Sequence, residues 1–184
     1  MDLRQLSKKA MTTEGQKACL IIDHLVEALG GEPASSLRRA MVLADIDQHP
    51  GTTQTETMQR LGIHKSAMNR EIEWLFNYGC IIRQNSDDDG RQIKLETCGY
   101  SKRALEAALD YFPKRHEGLQ NFLKQYIKVL KQERPTLRDA RIISTLYDKG
   151  RASKSQVLDG LYGGPASTDN RAYNKLVDDG VIEE

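Results

Sequence analysis

The segment from residue 64 to residue 95 constrains the fold of this 184-residue chain more than any other part of the sequence. Apolar residues recur in it at helical spacing, which predicts a helix over 64–78 with one buried face: Ala67, Met68, Ile72, Leu75 and Phe76. Gly79 is a helix stop, and apolar stretches at 80–82 and 92–95 flank a turn at 85–90 rich in Asn, Asp and Gly. The segment therefore predicts a helix that leads directly into a β-hairpin.

Helical spacing predicts the elements on either side of this segment as well. We expect helices at 13–29, 35–49, 52–60, 100–112 and 114–133. Thr13 and either Ser35 or Ser36 are the expected N-caps of the first two. The order helix, helix, turn, helix, strand, turn, strand is that of a winged helix-turn-helix, so the predicted fold is mainly α with a small β-hairpin wing. The apolar stripes of the last two helices are wide enough to predict a dimer interface.

A weaker copy of this pattern lies about a hundred residues further along the chain. Residues 37–62 align with 137–162, and residues 64–83 align with 165–184, with ten identities over 46 pairs. Both copies keep the order helix, helix, turn, helix, glycine, apolar stretch, which is typical of an internal repeat.

This repeat predicts how the chain divides. We predict a winged helix-turn-helix domain at 12–112, a linking and dimerisation helix at 113–135, and a second winged-helix-like domain at 136–184 whose wing is incomplete.

The polar side of the 64–78 helix predicts contact with double-stranded DNA. The second helix of a helix-turn-helix enters the major groove, where Arg pairs with guanine, Asn pairs with adenine and Ser donates to phosphate. The predicted interface consists of His64, Lys65, Ser66, Asn69, Arg70, Arg83 and Arg91, with Ser66, Asn69 and Arg70 at base edges. The second copy keeps a further candidate set: Ser167, Asn170 and Arg171.

Residues 12–133 resemble the multiple antibiotic resistance regulator (MarR) family of bacterial transcription factors. The resemblance lies in the passage LGIHKSAMNREIEWLFNYGCIIRQNSDDDGRQIKLETCGYSKRALEAAL, where Arg70, Leu75, Gly79 and Ile81 fit the family pattern. It implies a homodimer joined through the N-terminal helix and the helices after the wing, and a palindromic operator. It also implies that Ser66, Asn69 and Arg70 read the major groove.

The sequence departs from that family in two places. The arginine of the family's wing falls on Asp89, and the nearest arginine is Arg91, within the acidic tip SDDDGR. Because phosphates repel carboxylates, this tip is poorly suited to insertion into a minor groove. The second departure is the additional repeat at 136–184, which ordinary members of the family lack.

Two other functions stay open beside that of a dimeric transcriptional regulator. Tandem winged helices also occur in plasmid replication initiators, so a plasmid or phage protein of replication, partition or transfer is one alternative. The net charge of only +1 and the acidic wing tip favour the other, a winged-helix module that binds proteins.

The sequence carries no signature of an enzyme, a metal protein or a membrane protein. GxSxG, HExxH and GxxxxGK[ST] patterns are absent, and the three cysteines, Cys19, Cys80 and Cys98, are isolated in sequence. There is no apolar run of about 18–20 residues and no apolar leader, so we expect a cytoplasmic protein. We predict no catalytic residue, no metal and no cofactor, and the sequence does not identify a small-molecule effector.

Overall fold

The structure, a computed structural model, describes residues 13–85, 92–159, 161–162 and 166–183. Within these residues the chain forms helices joined by a three-stranded sheet. The helices are α1 (Glu14–Ala28), α2 (Leu37–Gln48), α3 (Gln54–Leu61), α4 (Lys65–Asn77), α5 (Gly99–Leu109), α6 (Arg115–Leu130), α7 (Leu137–Lys149), α8 (Lys154–Leu158) and α9 (Ala166–Asp178). The strands are β1 (Thr52–Thr53), β2 (Ile81–Asn85) and β3 (Ile93–Thr97).

The helix starts follow from local hydrogen bonding. The predicted caps of α1 and α2 are confirmed, because the side chains of Thr13 and Ser36 accept hydrogen bonds from backbone N–H groups in the first turn. At the start of α3, the Glu56 carboxylate accepts a 2.7 Å hydrogen bond from the backbone N–H of Thr53. This bond holds the pKa of Glu56 below its usual range.

The sheet has the strand order β1-β3-β2, and both pairings are antiparallel. The prediction that a helix begins at Thr52 was wrong: Thr52 and Thr53 form β1, where Thr52 pairs with Leu95, and the helix begins at Gln54. Two residues are too short to show the alternation of a strand, so only the tertiary pairing reveals this one. Strand β2 runs on to Asn85, which was expected in the turn, because Asn85 pairs with Ile93. Together with α2, α3 and α4, the sheet confirms the predicted winged helix-turn-helix class.

The first helix is buried by two other helices of its own chain. It packs against α5 on one side and α7 on the other. Ile22 and Leu25 in α1, and Leu29 at its end, have no exposed surface. The apolar stripe of α1 is therefore covered within a single chain.

The helices after the wing are covered in the same way. Helix α5 buries Leu105 and Leu109, and α6 buries Leu119 and Leu123, where it lies against α2. The width of these stripes, which suggested a dimer interface in the sequence, is accounted for by packing within the chain. Helix α6 ends at Leu130, three residues before the predicted end.

A polar cluster and a close backbone approach join α1 to the second repeat. Asp23 in α1 accepts a 2.9 Å hydrogen bond from Arg141 in α7 and a 2.7 Å hydrogen bond from the Tyr162 hydroxyl. Burial raises the pKa of Tyr162, so the hydroxyl stays a donor. Near the start of α1, Gly15 lies so close to α7 that a β-carbon there would sit 2.6 Å from Cα of Asp148.

No helix among the described residues is both long and apolar enough to span a lipid bilayer.

A methyl group at Gly15 is expected to force α1 away from α7. Gly15→Ala should lower the free energy of unfolding by about 1–3 kcal/mol, because the colliding atoms are N, Cα and Cβ of Asp148, which no side-chain rotation can move away. Gly99→Ala is the matched control, since no atom lies within 4 Å of its built β-carbon and its backbone needs no positive φ. That control should be neutral or stabilising by about 0.4–1 kcal/mol. Urea denaturation followed by circular dichroism measures both; equal stabilities for the two variants would contradict the close approach.

Candidate nucleic-acid interface

Helix α4 presents one polar face to solvent and buries the opposite one. Lys65, Ser66, Asn69 and Arg70 are exposed along its first two turns, and His64, its N-cap residue, is exposed as well. The inner face buries Ala67, Met68, Ile72 and Leu75. The polar face of α4 is hereafter defined as residues 64, 65, 66, 69 and 70. It carries two lysine or arginine side chains and no carboxylate.

Some side chains of this face are already hydrogen-bonded and others are not. His64 Nδ1 lies 3.2 Å from Ser66 Oγ, and Gln54 at the start of α3 donates a hydrogen bond to Asn69 Oδ1. The side chains of Lys65 and Arg70 make no hydrogen bond or ion pair with any other residue among those the structure describes. No described carboxylate neutralises either charge.

A buried ion pair fixes the back of α4 against α2. Arg39 Nε donates a 2.9 Å hydrogen bond to Glu71 Oε2, and both side chains are almost fully buried. The Arg39 guanidinium also lies 3.8 Å from the ring centre of Trp74, which stacks on Tyr78 at 3.8 Å. Burial lowers the pKa of Arg39, and the neighbouring Glu71 opposes that effect. These contacts set the rotation of α4 about its own axis, and so the direction in which its polar face points.

A second ion pair fixes α3 to α2 and β1. Arg60, near the end of α3, holds the buried Asp45 carboxylate through two nitrogens at 3.0 and 2.7 Å. One of these nitrogens also donates to Thr52 Oγ1 at 2.7 Å. The hydrogen bonds to Asp45 raise the pKa of Arg60. Gly62 then turns the chain in a left-handed conformation (φ 63°) between α3 and α4.

The predicted phosphate contacts at the wing have different outcomes. Arg83 in β2 is half-buried, forms a 2.6 Å ion pair with Glu73 and lies 4.4 Å from the ring centre of Phe76. Its charge is therefore already partnered by α4. Arg91 lies outside the described residues, as does the acidic tip at 86–90.

The second repeat places its candidate residues on the corresponding helix, α9. Ser167 and Arg171 are exposed, and Asn170 is half-buried with an interaction partner of its own. Asp169 is buried, and its Oδ1 lies 2.9 Å from Arg138 Nε in α7, an ion pair without the alignment of a hydrogen bond. Among the described residues, no group of three or more His, Cys, Asp and Glu side chains could hold a metal ion.

The residues that orient α4 and α9 were not predicted from the sequence. Arg39, Glu71 and Arg138 make the ion pairs described above, and none of the three was among the predicted site residues. One signal was available: Glu71 falls on the apolar side of α4, where an unpaired carboxylate is costly. A charge in that position indicates a partner charge on the facing helix.

Comparisons with known proteins give one structural likeness. No protein-family model matches the chain, and no curated protein matches it. It is similar to a solved structure titled "Crystal Structure of MarR", with 19% sequence identity over 71% of this chain and 93% of the other, at a TM-score of 0.39. Because that TM-score is low, the winged-helix assignment depends on the element order and strand register of this chain.

Removal of Glu71 is expected to loosen the packing of α4 on α2. Glu71→Ala should cost about 3 kcal/mol of unfolding free energy, because it leaves the buried Arg39 charge without its partner. Trp74, the only tryptophan of the chain, packs on Arg39, so its fluorescence should shift in the folded variant. Glu71→Gln should lose less, since an amide oxygen still accepts the hydrogen bond from Arg39.

The control is Glu73→Ala, which removes an exposed carboxylate from the same helix. It also breaks the surface ion pair with Arg83, which is worth about 0–1 kcal/mol, so stability should fall by no more than about 1 kcal/mol. If Glu71→Ala and Glu73→Ala proved equally stable, the Arg39–Glu71 pair would not position α4.

Proposed function

We propose that this chain is a sequence-specific, double-stranded DNA-binding protein that acts as a transcriptional regulator. The observation that carries the proposal is the polar face of α4, which is exposed at every one of its five positions while the opposite face is fixed by Arg39 and Glu71. A rigid helix with an exposed polar side is what insertion into a major groove requires.

The chemistry of the face supports a division of roles. Arg70 has the paired donors that match the O6 and N7 atoms of guanine, and Asn69 has the amide that matches adenine. Asn69 is held by Gln54, so a base would have to displace or share that hydrogen bond. Lys65 stands in the first turn of α4, where it can reach a phosphate. We assign Ser66 to a contact with a phosphate or a base edge. We place His64 at the periphery of the interface.

The wing has a smaller part in this proposal than the sequence suggested. Because Arg83 is paired with Glu73, its contribution to phosphate binding requires that this ion pair open. Among the described residues, the contact with DNA therefore falls mainly on α4. The homodimer that the family resemblance implies stays a prediction, as does the cytoplasmic location.

One observation favours the alternative of a protein-binding module. Phe76, Ile82 and Ile93 are all more than two-fifths exposed, at 41%, 42% and 48%, near the junction of α4 and the hairpin. Apolar groups in such a place are typical of surfaces that bind other proteins. DNA binding and protein binding differ in salt dependence, because only phosphate contacts release condensed counterions.

Arg70→Ala is expected to weaken binding to a selected DNA site and to relax specificity at one position. The expected loss is about 1–3 kcal/mol, the value of one two-bonded contact to guanine. The site is obtained by selection from random duplexes with the unmodified protein, and the affinity is measured by fluorescence anisotropy at several salt concentrations. Arg103→Ala removes an exposed arginine of α5, outside the proposed interface, and should retain the original affinity.

Two results would contradict the proposal. Normal affinity of Arg70→Ala for the selected duplex would exclude α4 as the reading element. Absence of any enriched sequence, with binding that hardly changes with salt, would favour the protein-binding module instead.

A further inference from the structure

The two repeats meet at a pair of equivalent residues. Ser36 and Thr136, the N-caps of α2 and α7, face each other in an isolated antiparallel β-bridge. The backbone N–H of Leu37 donates to the carbonyl of Pro135 at 2.9 Å, and the N–H of Leu137 donates to the carbonyl of Ser35 at 2.9 Å. The two bonds are equivalent under exchange of the repeats. Their donors lie a hundred residues apart in the sequence, and so do their acceptors.

Such a reciprocal pair of bonds defines a local twofold axis. In an antiparallel pair, a half-turn about an axis between two facing residues places each segment on the other, with N-terminus on N-terminus. Here that half-turn carries residue 36 onto residue 136, and it carries the helix that follows, α2, onto α7. The contact between the repeats is thus isologous, as in a twofold dimer, although both halves belong to one chain.

The two halves also share their internal geometry. Capping boxes begin α3 at Thr53 and α8 at Ser153. After α4, the N–H of Cys80 donates to the carbonyl of Leu75 at 2.8 Å, and after α9 the N–H of Val181 donates to that of Leu176 at 2.9 Å. In both turns a glycine adopts a positive φ, 68° at position 79 and 67° at position 180.

The recognition helices are tied to the helices that start at this axis. Glu71 of α4 is held by Arg39, three residues after the bridge, and Asp169 of α9 is held by Arg138, two residues after it. Each of the two helices is therefore tied to the helix that begins at the axis, although the ion pairs stand at different positions of the repeat, since Glu71 aligns with Ala172 and Asp169 with Met68.

We infer that a single chain carries two DNA-reading helices, α4 and α9, in inverted orientation, and that one chain binds one imperfect inverted repeat. Duplex DNA has twofold axes perpendicular to its length, so two readers related by a half-turn match two half-sites of opposite direction. This inference rests on the proposed function, and it adds the form of the site and the number of chains that bind it: one chain takes the place of the homodimer that the family resemblance implies.

The side chains of α9 predict that its half-site is related to the first but not identical. Ser167 and Arg171 are exposed at the positions that correspond to Ser66 and Arg70. Lys154 at the start of α8 donates a 2.5 Å hydrogen bond to Asn174, whereas its counterpart Gln54 bonds to Asn69. The two helices thus share the serine, the asparagine and the arginine and differ in the groups around them.

The first experiment uses the full chain and duplexes built from its selected site. One duplex keeps both half-sites in inverted orientation, one reverses the second half-site into a direct repeat, and one scrambles the second half-site. Affinity is measured by fluorescence anisotropy, and native mass spectrometry counts the chains on each duplex. We expect one chain per inverted repeat and affinity at least about tenfold weaker for the other two duplexes, the value of one lost two-bonded contact.

Variants identify which helix reads which half. The affinity of Arg171→Ala for the inverted repeat should fall to about that of the unmodified protein for the duplex whose second half-site is scrambled. Arg70→Ala should lose the preference for the first half-site instead. Arg103→Ala, the exposed α5 control, should show the full difference between the duplexes.

A cross-link tests the axis itself without reference to DNA. Residues that face each other in this type of antiparallel pair have Cα atoms about 4.5 Å apart, within the range of a disulfide. Ser36→Cys combined with Thr136→Cys should therefore oxidise within one chain, and the oxidised protein should bind the inverted repeat as the reduced one does. Ser36→Cys combined with Ser153→Cys, which are not paired, should not form that bond.

Each outcome bears on one of the two proposals. Two chains per inverted repeat, or equal binding of inverted and direct repeats, would overturn the single-chain reading while leaving DNA binding intact. Failure of the paired cysteines to cross-link, or loss of DNA binding on oxidation, would overturn the twofold arrangement as the DNA-binding form. If no duplex is enriched but the cross-link forms, the proposed function fails and the axis stands.

Discussion

The burial of α1 is the packing constraint on which the two repeats jointly depend. This helix lies between α5, which follows the wing, and α7, which begins the second repeat. Ile22 and Leu25 are fully buried there, and each contributes about 1.5–3 kcal/mol by leaving water. Each of these two helices covers one side of α1, so the hydrophobic effect on one short segment joins both halves into one core.

The polar contacts have a different role from the apolar core. The Arg39–Glu71 and Arg60–Asp45 pairs are buried or half-buried, and such pairs contribute little net stability because desolvation offsets most of their attraction. They do fix geometry, since each charge is satisfied in only one arrangement of the helices. In this chain that arrangement turns the polar face of α4 outward.

The sequence was informative wherever a local pattern repeats. Helical periodicity placed the helices from α1 to α6, and cap chemistry identified Thr13 and Ser36. Strand β1 was missed because two residues show no period, and its identity depends on Leu95, more than forty residues away. The exposed face of α4 was predicted from its residue types, whereas the pairing of Arg83 with Glu73 was not. A long side chain takes the partner that the folded chain brings near, and spacing along the sequence does not show which partner that is.

By itself the sequence determined the longer helices, the hairpin and the winged-helix order and indicated an internal repeat, because the pattern of each element is encoded by residues close to one another. Only the tertiary structure decided how the repeats meet. The bridge between Ser36 and Thr136 joins residues a hundred positions apart through backbone atoms, and backbone atoms are the same in every sequence. Periodicity and residue type cannot encode such a contact. The packing of the apolar faces of α1 and α7 brings the start of α7 close to the start of α2, where the bridge forms.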